Sequence, residues 1–261
     1  MSEAVSMFHQ FIKFGTDAYG LERLLRALQA LTTLLLFSPP IRLLFTPLFL
    51  SPTLTPALTL LRKRLSTLRQ PFRLFRFLDS FSAAWSIFSS SGDGGGSSGG
   101  AEQWMDFGSK AFTGVYMLLE SLVFVDVALD VPGLAVWGSQ ERGAQLVVDG
   151  QRFWFLGLVC AVVRAGLRLR RGWGRKGKGG GEEEKRMKKA GEERWKVVRR
   201  MVADVLDLAI PGSVVGWVRL SPEMVGWCML VSTILTGLEV WERCGREVAA
   251  AKEAAARAGR K

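Results

Sequence analysis

The chain has 261 residues, 35 Lys and Arg against 24 Asp and Glu, and a net charge of +11. At 48% hydrophobic it is too apolar for disorder throughout and long enough for a sizeable core. One histidine (His9) excludes a multi-histidine metal site, three cysteines (Cys160, Cys228, Cys244) make no disulfide framework, and the absence of asparagine removes every N-glycosylation acceptor, so secreted and zinc-dependent readings are set aside.

The charge is uneven. Residues 164–200 hold 15 Lys/Arg against five Glu, whereas 101–163 hold three basic against seven acidic residues. Basic charge divided between an amphipathic stretch and the flank of an apolar run fits a membrane surface better than a DNA-reading face.

No secretory signal is visible at the start. Phe8, Phe11, Ile12 and Phe14 alternate with polar residues as in an amphipathic helix, and Leu21, Leu24, Leu25, Leu28 and Leu31 continue the helical spacing to Pro39-Pro40. The 19 uncharged residues from Leu43 to Leu61 are interrupted by Pro47, Pro52 and Pro56, which lipid would punish, so 37–56 reads as an irregular apolar connector. Thr55-Pro56 is a good helix start.

Over 61–76 (LRKRLSTLRQPFRLFR), Leu61, Leu65, Leu68, Phe72 and Phe75 share one arc, with Arg62, Arg69, Arg73 and Arg76 on the adjoining flank. Such a helix lies in the headgroup plane with its guanidinium groups reaching phosphates; the arc is the expected membrane-inserting face and the four arginines the expected headgroup contacts. Pro71 should kink or split it.

Five boundaries then divide the chain: an N-terminal amphipathic helical region, 1–88; a flexible Gly/Ser linker, 89–100; a helical membrane-associated region, 101–171; a disordered Gly/Lys/Glu-rich insert, 172–191; a C-terminal membrane region, 192–245; and a charged tail, 246–261. Within these, Phe153–Val163 is short for a span. The stretch 208–238, charged only at Arg219 and Glu223, is the best spanning candidate, as one span or a re-entrant pair. Gly212 and Gly216 are spaced for close helix contact. Asp204 and Asp207 share a polar helix face, Cys244 sits where palmitoylation could act, and Trp137, Trp154, Trp173, Trp217, Trp227 and Trp241 bracket apolar runs as interfacial aromatics do. Gly172 to Gly177 matches G-x-G-x-x-G but follows an Arg-rich helical run instead of a strand, so it is no nucleotide loop. No nucleophile–base pair is recognisable, and no enzyme activity or cofactor is expected.

Three blocks in order resemble the peroxin-11 family of peroxisomal membrane proteins. They are Phe11 to Phe14 with Thr16-Asp17 and Leu24 to Gln29; Leu61-Arg62-Lys63 through Arg69, Pro71, Arg73, Arg76 and Leu78; and Asp204 to Pro211 with Gly216-Trp217, Leu220-Ser221-Pro222 and Gly226. The proline-rich connector and the two glycine-rich segments depart from the family pattern, as in a divergent, fungal-like member. The resemblance implies residence in the peroxisomal membrane, termini towards the cytosol, and membrane elongation ahead of fission by insertion of the amphipathic helix. It also implies self-association, with fission machinery as a further partner. The expected fold is an all-α, membrane-associated bundle with a basic amphipathic helix and C-terminal apolar helices joined by Gly-rich linkers, and the expected partner is anionic phospholipid, not nucleic acid. The alternative is a channel or metabolite-transport component in which Glu120, Asp126 and Asp130 face a polar lumen.

Overall fold

The computed structural model describes residues 3–45, 53–90, 100–129, 140–173 and 181–258. Among these residues the fold is all-α, without a strand: α1 (Glu3–Thr16), α2 (Ala18–Phe37), α3 (Pro39–Leu44), α4 (Leu54–Arg69), a 3-10 turn (Pro71–Arg73), α5 (Arg76–Ser90), α6 (Gly100–Leu129), α7 (Gln140–Trp173), α8 (Gly181–Asp207), α9 (Ala209–Val215) and α10 (Pro222–Ala258).

Three sequence expectations meet these boundaries. The connector 37–56 contains the short helix α3, which Pro39 and Pro40 can begin because they occupy its first turn; its residues 46–52 lie outside the described residues. The Gly/Ser linker likewise lies outside them over 91–99. The insert expected to be disordered over 172–191 is corrected: α8 begins at Gly181. Glu182, Glu183 and Glu184 fall in its first turn with Lys and Arg three and four positions on, a charge order that favours a helix.

The chain forms two compact units, residues 1–72 with 229–261, and residues 73–228. The division does not follow the 89–100 segment, because α5 and α6 on either side of it pack on each other.

In the first unit, Asp17 caps α2 by accepting from the amides of Tyr19 and Gly20 at 2.9 and 3.1 Å. The α1–α2 corner is so tight that a Cβ on Gly20 would lie 2.0 Å from the Phe14 carbonyl oxygen, so only glycine fits. The interior is unusually polar. Glu22, Arg26, Thr32 and Thr33 of α2, Arg69 of α4, and Ser232, Thr233 and Thr236 of α10 are all buried beside Ala30, Leu34 and Leu65. Both Arg69 Nε and Nη2 donate to Glu22 Oε1, at 3.2 and 2.8 Å, and Nη1 donates to Gln29 Oε1 at 2.6 Å. Arg26 donates to Ser232 Oγ at 3.4 Å. The buried hydroxyls of Thr32, Thr33, Ser232, Thr233 and Thr236 each donate to a carbonyl one turn back in their own helix. Leu24, Leu28 and Leu31 of α2 point outward instead. A polar seam under an apolar exterior is the reverse of a water-soluble bundle, and it is how helices associate in lipid, where leucine gains nothing by hiding.

In the second unit α6 and α7 run antiparallel over their whole paired length. Glu102 meets Arg171 at 2.7 Å, Asp106 meets Arg164, Phe112 stacks on Phe153 at 6.2 Å between centroids, and Tyr116 stacks on Trp154 at 5.2 Å. The helices approach closely because α7 carries Gly143, Gly150 and Gly157 at seven-residue intervals on the contact side, where a Cβ at 157 would meet the Thr113 amide nitrogen at 3.3 Å. Thr113 backbone cannot step aside. Gly157→Leu is therefore expected to destabilise the protein by about 1–3 kcal/mol, whereas Gly166→Ala, which meets nothing within 4 Å, should stabilise it by roughly 0.5–1 kcal/mol. Thermal denaturation of the two variants in detergent checks the opposite signs. Gly114 of α6 receives Phe81 of α5 in the same way.

Candidate membrane interface

Two described helices each hold an 18-residue window apolar enough to cross a bilayer, within Glu141–Arg171 of α7 and within Pro222–Ala255 of α10. On α10, Met224, Trp227, Val231, Ile234 and Leu238 are exposed at alternating three- and four-residue steps, a single apolar stripe, while Met229, Ser232, Thr233 and Thr236 are buried. The 208–238 stretch is thus not one continuous span but two helices joined by a turn. Gly216, at φ 83°, closes the seven-residue α9 with a left-handed cap, and a new helix begins at Pro222.

The amphipathic stretch is two helices, separated at Pro71–Arg73. On α4, Leu61 and Leu68 are exposed, but Leu65 is 6% exposed and belongs to the interior. Phe72 is half-buried, and Phe75, in the turn with φ 65°, is 66% exposed. The outward apolar face of α4 is therefore Leu60, Leu61 and Leu68, with Lys63 and Arg64 exposed beside it. The sequence reading omitted Leu60, Lys63 and Arg64 because it drew the arc through a continuous helix to Phe75; the break at Pro71 and the packing of α4 on α2 rotate it.

The expected headgroup contacts divide. Arg62 is half-buried with its guanidinium 5.4 Å from the Phe37 ring centroid, and Arg76 is half-buried. Arg69 and Arg73 are corrected. Arg69, 8% exposed, is consumed by Glu22 and Gln29. Arg73 donates to Glu120 Oε1 and the Tyr116 hydroxyl, both at 2.8 Å. Neither guanidinium is presented to a phosphate. The same pairing engages Glu120, one of the three carboxylates of the channel reading; Asp126 is half-buried and engaged, and Asp130 lies outside the described residues.

Gly212 is a close-contact residue, where a Cβ would lie 2.7 Å from Val218 and 3.2 Å from Phe155 of α7; a Cβ at Gly216 would meet nothing within 4 Å, and Gly216 serves as the cap, which corrects its expected contact role. Asp204 is buried and ion-paired with Arg200 at 3.1 Å. Cys244 is fully buried, which withdraws it from palmitoylation. Trp154 stacks inside the second unit and Trp137 lies outside the described residues, whereas Trp217 and Trp227 are exposed. Sequence reasoning missed an aromatic series in which Trp85, Phe88, Phe107 and Trp104 contact in succession at 5.8–6.0 Å, with Trp85, Phe88 and Trp104 exposed. Trp85 and Phe88 three apart on one helix were the available signal.

In a comparison with known families, a model described as Peroxisomal biogenesis factor 11 (PEX11) matches residues 8–241. No curated protein and no solved structure matches the chain.

Proposed function

The chain belongs to the peroxisomal biogenesis factor 11 family, a family of peroxisomal membrane proteins involved in peroxisome proliferation and not one of enzymes, and from that premise we propose that it elongates the membrane by seating α4 sideways in one leaflet. The observation that carries this reading is the exposed trio Leu60, Leu61 and Leu68 with Lys63 and Arg64 alongside. Burying a leucine contributes about 1.5–3 kcal/mol, and each basic residue near an anionic surface adds about 1 kcal/mol. The leucines hold the helix in place and the charges choose the surface. A helix that occupies area in one leaflet and not the other favours curvature and tubules, the shape that precedes fission.

The full-length protein, reconstituted into vesicles of phosphatidylcholine with phosphatidylserine, is expected to draw them into tubules visible by electron microscopy, and to do so less with phosphatidylcholine alone. Vesicles that stay spherical in both lipids, with the protein inserted, would contradict the proposal.

A further inference from the structure

The amphipathic helix α1 (Glu3–Thr16) has two unlike sides. Its polar side faces the protein. Gln10 donates to the Trp241 carbonyl at 2.8 Å, Lys13 pairs with Glu247 at 3.3 Å, and Phe14 packs edge-on against Trp241 at 5.7 Å. At the end of α1, Asp17 accepts from Arg243 at 2.7 Å. Its apolar side (Met7, Phe8, Phe11 and Ile12, each 45–62% exposed) turns away from the protein.

Where α1 is fastened matters as much as how it is turned. The exposed apolar stripe of α10 ends at Leu238, and charge begins at Glu239, Glu242 and Arg243. The residues that hold α1 lie in the next two turns. A helix spanning a bilayer leaves the hydrocarbon where its apolar stripe stops and its charges start. That places α1 at the headgroup boundary, with its apolar side unoccupied by any described part of the chain.

We propose that α1 is a second lipid-seated helix, independent of α4, laid along the bilayer boundary at the end of the α10 stripe with Phe8 and Phe11 in the acyl region. The occupant of this face is lipid and not a second copy of the chain. Four part-exposed side chains over two turns offer roughly 400 Å², about half of the roughly 800 Å² per partner that a stable protein interface buries. In-plane helices are held by a buried apolar face together with a polar side kept out of the hydrocarbon.

The test places the photo-crosslinker p-benzoylphenylalanine at Phe11, or at Gln10 as the inward control, in the full-length protein reconstituted with phosphatidylcholine bearing a clickable acyl chain. Irradiation is expected to give lipid adducts from position 11, and from position 10 an adduct within the chain to the 241–247 segment. A cross-linked dimer from position 11, or no adduct there, overturns the proposal. The position-11 lipid adduct should persist in the Leu61→Glu/Leu68→Glu chain, which separates this seat from that of α4; its loss in that chain overturns the independence claimed here.

Discussion

Replacing Leu61 and Leu68 together by Glu is expected to abolish vesicle tubulation while leaving the helical content and thermal stability of the protein unchanged. Both side chains are about half exposed and neither belongs to the interior, so the fold loses little buried contact. Each substitution removes roughly 1 kcal/mol of apolar transfer, about half the value for a whole leucine because the side chains are about half exposed, and puts a carboxylate against an anionic surface, where a charge is worth about 1 kcal/mol. Two such losses weaken seating of the helix by roughly a hundredfold or more, at 1.4 kcal/mol per decade. Leu65→Glu must behave differently. Leu65 is interior, so a carboxylate there is buried and destabilises the first unit itself. Circular dichroism in detergent, run beside the tubulation assay, separates the two: the exposed pair should fail in tubulation alone, and the buried position in both. Equal loss of fold in both would show that the outward face of α4 is part of the core.

The second large effect is structural. Arg69→Met leaves Glu22, 3% exposed, without its principal partner, and breaking a buried ion pair from one side costs about 3–5 kcal/mol. Arg23, whose Nε lies 3.5 Å from the other carboxylate oxygen, replaces part of what is lost. The pair Glu22→Leu with Arg69→Leu should recover much of the deficit, because removing both charges also removes their desolvation cost. Unfolding midpoints in detergent should therefore fall in the order wild type or double variant, then single variant. A double variant as unstable as the single one would contradict the reading of Arg69 as a residue whose role is internal and not at the headgroups.

The local pattern carried a good deal of this. Helical spacing and the proline at position 71 are signals between near neighbours, and they specify where helices run and stop; the break at Asp17, which caps α2, falls inside a spacing that reads as one continuous helix. What spacing does not carry is which side faces inward. On α2, Leu24, Leu28 and Leu31 are outside while Glu22 and Arg26 are inside with Ala30 and Leu34, so the periodicity marks a helix without saying which side is buried. Partners far apart in sequence are equally unreadable from composition: Arg69 meets Glu22 and Arg73 meets Glu120, each 47 positions away, and both arginines therefore looked free to meet phosphates. The break in 208–238 turns on one left-handed glycine, Gly216, whose spacing to Gly212 equally fits a contact face. Gly143, Gly150 and Gly157 were visible in the sequence, and their seven-residue interval is a signal that a search for small residues at heptad spacing would find.

A nitroxide attached at position 61 of the full-length protein in anionic vesicles tests the central claim most directly. Collisions with oxygen, which concentrates in the acyl region, should dominate over collisions with an aqueous nickel chelate at position 61, while a nitroxide at Ser66, exposed on another side of α4, should show the reverse. If nickel dominates at position 61, the leucine face of α4 lies in water and the account of membrane elongation built on it does not hold.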